Sequence, residues 1–157
     1  MADTREIAAK LPDSRLPGAD WADCFQIHVP GKSLTAIQAA RLTLGEMPGW
    51  IGLLTRVRNG FAGIVGLKTG ADHTVSAEKK VGIFPLISQA AQTVVLGLDD
   101  WHLDFRIIVD VEADSVGGTI LRATTLVRRK NLFGRLYIGA VTPFHRLIVP
   151  TVLKSAL

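Results

Sequence analysis

The sequence predicts an α+β fold, a curved antiparallel β-sheet wrapped around a long C-terminal helix. Two observations predict it. From residue 81 onward the chain runs through four strand-like stretches, 81–88, 93–98, 101–113 and 119–129, in which apolar and polar side chains tend to alternate. They are followed by Leu132–Leu153, apolar around most of its circumference, as expected of a helix buried by a sheet. Strands that follow one another, without helices between them, pair antiparallel.

The remaining elements follow in order. Residues 20–30 alternate Phe25, Ile27 and Val29 against Cys24, Gln26 and His28, which predicts a strand ended by Pro30 and Gly31. Ser33 is the expected N-cap of a helix over 34–44, where Leu34, Ile37, Ala40 and Leu44 recur near helical spacing. The run GEMPG breaks it. A second helix is expected over about 50–67, with Ile51, Leu54, Val57, Phe61 and Ile64 on its apolar side. Gly60, Gly63 and Gly66 would let that segment lie close to a sheet. The following GLKTG is not a phosphate loop, because Leu67 separates the glycine from the lysine. Residues 69–80 are polar and turn-rich, hence a loop or ragged hairpin. Pro85 marks an edge strand or a bulge. Asp99–Asp100 and 114–118 are turns, and Pro143 should kink the last helix.

A length of 157 residues suits one domain over 1–157, with residues 1–15 as a loosely packed N-terminal segment. Apolar residues at 48% and charged residues at 20% are values of a globular chain. Mean hydropathy is positive. Arg135, Pro143, His145, Arg146 and Pro150 nevertheless interrupt the most apolar region, so no transmembrane span is expected. The first residues carry acids and no apolar core of a signal peptide, so no secretory signal and a cytoplasmic location are expected. Cys24 is the only cysteine, which excludes an internal disulfide or a thiolate cluster. Net charge is +4, with a cluster at Arg128, Arg129 and Lys130. No aromatic-basic interleaving accompanies it, so no nucleic-acid partner is expected.

The run LDDWHLDFRIIVDV concentrates the chemistry. Strand periodicity puts Trp101, Leu103, Phe105, Ile107, Val109 and Val111 on one face, and His102, Asp104, Arg106 and Asp110 on the other. With Arg122 of the next strand, His102, Asp104 and Arg106 form a polar sheet face. A cross-strand pair such as Asp104 with Arg122 would contribute about 0.2–1 kcal/mol. His102 and Asp104 could hold two corners of a metal site, but no further ligands cluster with them, so no metal is expected. Ser33, Ser76, Ser88 and Ser115 lack a nucleophile-elbow motif, and no catalytic residue is assigned.

On the last helix, Phe133, Tyr137, Ala140, Phe144, Leu147 and Thr151 fall on one face by three- and four-residue steps. Should that face look into a cavity, Tyr137 is its polar handle. His145 and Arg146 fall at its margins, either contacting a ligand or pairing with acids such as Asp23 or Glu46. The candidate ligand-binding residues are Trp50, Trp101, Leu103, Phe105, Tyr137, Phe144, His145 and Arg146.

The order strand, two helices, antiparallel strands, long helix resembles the START-like helix-grip fold of the polyketide cyclase (SRPBCC) superfamily. The runs LPGADWADCF, MPGWIGLLTRVRN, GLDDWHLDFRIIVDV and NLFGRLYIGAVTPFHRLIV resemble a bacterial family of unknown function in that superfamily. Its members occur alone or behind an NAD-binding, epimerase-like domain. The resemblance covers roughly residues 11–155. It implies an apolar cavity between sheet and last helix, but no reaction, and no cofactor is carried over. Three readings follow: a module binding a small hydrophobic or amphipathic ligand, a cyclase-, dehydratase- or hydrolase-like enzyme using a pocket His145 or Tyr137, and a homodimerisation module using the polar sheet face.

Overall fold

The computed structural model describes residues 3–45 and 80–157. The helix expected over 50–67, its glycines, Trp50 and the polar stretch 69–79 lie outside the described residues. In chain order the elements are β1 (Arg5–Ile7), β2 (Trp21–Pro30) and α1 (Ala36–Ala40), which runs into a π-helical turn, Arg41–Gly45. Then come β3 (Lys80–Val81), β4 (Phe84–Gln89), β5 (Thr93–Asp99), β6 (Leu103–Asp114), β7 (Gly118–Arg129) and α2 (Leu132–Leu153), ending in a 3₁₀ turn, Lys154–Ala156. The strands form a seven-stranded sheet in the order β1-β2-β7-β6-β5-β4-β3. Every neighbouring pair is antiparallel. The α+β class and the long C-terminal helix are therefore as the sequence predicts.

Local chemistry explains the element ends. Thr35, not Ser33, caps α1, because Gln38 lies three residues on and closes a reciprocal capping box. Ser33 would need such a partner at Ala36. The stretch 81–88 is two strands, broken at Gly82. That residue adopts a positive φ of 60°, and a Cβ there would stand 2.2 Å from the carbonyl oxygen of Leu44. Pro85 sits on β4, whose outer neighbour is the two-residue β3, and the β4–β5 register slips between Leu86 and Ser88. Asn131 caps α2 by accepting the N–H of Gly134.

One face of the sheet carries the main core. Phe25, Ile27, Val29, Val94, Leu96, Val109, Val111, Leu121 and Ala123 pack under the alanines of α1 and under Val149, Val152 and Leu153 of α2. On the other face a smaller patch, Val95, Ile108 and Leu126, is covered by Leu16 with Ala19 and Ala22. The segment before β2 thus folds back across the outer side of the sheet. Arg5–Ile7, within the stretch expected to pack loosely, adds an edge strand to β2.

Candidate functional site where α2 meets the sheet

Alternation along β6 sorts as expected. Leu103, Phe105, Ile107, Val109 and Val111 belong to the inner, helix-covered face, while Asp104, Arg106 and Asp110 lie on the outer one. His102 leaves that row. It precedes β6 in the turn from β5, and its buried ring stands edge-on to Phe133 (5.5 Å) and Tyr137 (5.4 Å) of α2. Alternation governs residues within a strand, and His102 is outside one. A Cβ on Gly134 would stand 2.2 Å from the His102 carbonyl oxygen, so glycine allows α2 to seat directly on this turn. Trp101 stacks on Phe133 (5.3 Å) at the same corner and is half exposed.

On the outer face, charges are matched within the chain. The Asp104 carboxylate is almost wholly buried between Arg128 and Lys130, with Lys130 Nζ at 2.7 Å. Arg106 binds Asp99 at 2.7 Å, and this guanidinium holds the Asp99 carboxyl below its ordinary range despite partial burial. Arg122 pairs with Glu112 at 2.9 Å and donates to Gln26. Register places Asp104 opposite Arg128 and Arg122 opposite Asp110. The cross-strand pair expected between Asp104 and Arg122 is therefore absent.

The sheet-facing side of α2 also differs from the expected one. Gly134, Ile138, Val149, Val152 and Leu153 are buried and Tyr137, Val141 and His145 half-buried, whereas Ala140, Phe144, Leu147 and Thr151 are exposed. Phe144 thus lies on the outside of the helix. A helix apolar around most of its circumference contains several equivalent stripes, and spacing alone does not choose among them. Arg146 is exposed and stands 3.7 Å from Glu6.

The turn of helix that brings His145 inward completes a polar cluster. Asp23 and Thr125 are direct cross-strand neighbours on β2 and β7, and both face α2. His145 Nε2 lies 3.2 Å from Asp23 Oδ1, 3.0 Å from Oδ2 and 3.1 Å from Thr125 Oγ1. The Trp21 ring stands edge-on to the imidazole at 5.8 Å. Asp23 is buried, and its Oδ2, although in ion-pair range, has no aligned hydrogen-bond donor. An ionised carboxylate only accepts, so Nε2 carries the proton shared with Asp23, and in the neutral ring Nδ1 keeps its lone pair. The arrangement can hold an imidazole in a fixed orientation at the helix–sheet junction.

The sequence offers Asp23 as one partner for His145 or Arg146, and the structure gives it to His145. Trp21 and Thr125 are missed by spacing arguments. The available signal is parity: Trp21 and Asp23 continue the apolar row of Phe25, Ile27 and Val29, where an acid requires a partner. Tyr137, Leu103 and Phe105 join Trp21, Val127 and Ile138 in one cluster beside this pair. Among the described residues, no group of three or more His, Cys, Asp or Glu is placed to hold a metal ion.

Fold and site define an α+β protein whose antiparallel sheet is closed on one face by its C-terminal helix, with a His–Asp pair at the closure. The family described as "Protein of unknown function (DUF2867)" matches residues 15–152, and the chain belongs to it. No curated protein and no solved structure matches the chain.

Proposed function

We propose that the chain binds a small apolar or amphipathic molecule between the inner sheet face and α2, in the manner of a helix-grip (START-like) domain. One observation carries this reading. On the inner face Val94, Leu96, Val109 and Val111 are buried, while Phe84, Leu86, Leu98, Phe105 and Ile107 on β4, β5 and β6 are only half-buried. Half-covered apolar side chains beside a few polar groups are the usual lining of a ligand site. Phe84 and Phe105 meet edge to face at 6.1 Å as its floor. Tyr137, clustered with Phe105, and His145, about two helical turns further along α2, offer polar groups toward which an amphipathic ligand would direct its carbonyl or hydroxyl. Native mass spectrometry of gently purified protein should reveal a co-purifying small molecule. An environment-sensitive apolar dye should bind and be displaced by it, with Phe105→Ala weakening uptake several-fold. The absence of both a bound molecule and dye uptake would refute the reading.

A second reading, an enzyme using a pocket histidine, is favoured by the orientation of His145. A base held by a buried carboxylate beside an apolar floor is the minimum apparatus of proton transfer. Turnover of the co-purifying compound, lost in His145→Gln while its binding is retained, would separate this reading from simple binding.

A further inference from the structure

We propose that the outer face of α2 docks on an anionic lipid bilayer surface. Leu132, Leu136, Phe144 and Leu147 are 53 to 70% exposed along this face, with Pro143 among them. Contiguous exposed apolar side chains of this size mark an interaction surface. Leu132 to Leu147 spans about 22 Å of helix at a rise of about 1.5 Å per residue.

Charge selects the partner. Arg135 and Arg146 lie about three helical turns apart, hence on one margin of the apolar strip, and Lys154 follows at its end; all three are exposed. No Asp or Glu occurs anywhere after Asp114. Arg128, Arg129 and Lys130 are matched by Asp104 and Asp20 from other parts of the sheet. The sole pairing at the α2 margin among the described residues is the 3.7 Å contact of Arg146 with Glu6, both exposed and therefore weakly coupled. A second copy of α2 would bring cations and no acids to such a face. An anionic surface supplies the missing charge, and apolar side chains flanked by arginine suit a helix lying in the headgroup region.

The stretch Leu132–Ala156 is also long and apolar enough, by length and composition, to cross a membrane. Its other side, however, is tied to the sheet through Gly134 on His102 and His145 on Asp23. Docking by one face keeps those contacts.

The full chain should co-sediment with vesicles of phosphatidylcholine containing one-third phosphatidylglycerol, and not with phosphatidylcholine alone. Binding should fall as salt shortens electrostatic reach. Leu136→Glu with Leu147→Glu, and separately Arg135→Glu with Arg146→Glu, should each weaken it on the order of tenfold. Since these side chains are exposed, thermal unfolding should change little, which distinguishes lost docking from lost fold. No sedimentation with the anionic vesicles, or equal sedimentation of the variants, overturns the proposal. So does a concentration-dependent dimer abolished by Leu136→Glu with Leu147→Glu, which assigns the face to a second copy. Maleimide labelling of Leu147→Cys checks access: rapid labelling without vesicles and protection with anionic ones is expected. Protection without vesicles overturns the proposal by showing the face already covered.

Discussion

His145 Nε2 rests 3.0 Å from Oδ2 of Asp23, a contact that joins α2 to β2 across 122 residues of sequence. The two partners are unequal. Asp23 is buried, whereas the imidazole keeps partial access to water. Removing His145 strands a buried carboxylate; removing the carboxylate leaves a ring that water can still reach. His145→Leu should therefore cost about 3 kcal/mol and Asp23→Asn only about 1 kcal/mol. Adding Asp23→Asn to His145→Leu should recover part of the larger loss. Urea unfolding of the double-mutant cycle measures all three.

Gly134 is expected to be intolerant for steric reasons. Alanine favours a helix over glycine by about 1 kcal/mol. Here its Cβ would press on the His102 backbone oxygen, which cannot rotate away. Gly134→Ala should therefore destabilise, by about 1–3 kcal/mol of overpacking, and shift Trp101 emission as the corner opens. A stabilised variant with unchanged fluorescence would show that α2 is not seated on that turn.

Acid should loosen the segment that covers the outer face. The Arg15 guanidinium, 2.7 Å from Asp13, holds the Asp13 carboxyl below its ordinary value of 3.8. A carboxyl lowered in the folded state contributes stability that is present above its unfolded value. That contribution is lost as pH falls through the lower, folded value. Asp13→Asn should lower the melting temperature at neutral pH and reduce its further fall below pH 3.8, read by thermal melts across the acid range.

Cys24 should report global opening. It lies buried on β2, where desolvation pushes the thiol pKa up, against the Thr124 contact that lowers it. A raised thiol pKa and loss of access both suppress thiolate chemistry. Reaction with an aromatic disulfide reagent should be slow in the folded protein, on the order of a hundredfold below the denatured chain, and should accelerate in step with urea unfolding. Fast reaction in native buffer would contradict the burial of β2.

Much of the fold was readable because it rests on local rules. α2 spans the expected 132–153, and the β6–β7 hairpin turns at the expected place. The side chains of β6 take the faces that alternation assigns. The candidate site was less readable. Spacing groups His102 with Asp104 and Arg106, yet it stands in a turn and packs on α2. Spacing groups Phe144 and Leu147 with Tyr137, yet they lie on the outside of the helix. β1 is three residues long, too short for any periodicity to register.

The sequence by itself determined where the long strands β2, β5, β6 and β7 and the last helix run, and which half of β6 is apolar. Those outcomes follow from backbone periods of two and 3.6 residues acting on neighbours along the chain. Only the tertiary structure decided how α2 is rotated on the sheet. That rotation depends on a close approach at Gly134 and on a carboxylate in β2 that needs a buried partner, and both are contacts between residues far apart in the chain. His145 therefore faces Asp23 and Phe144 faces outward because of that one rotation.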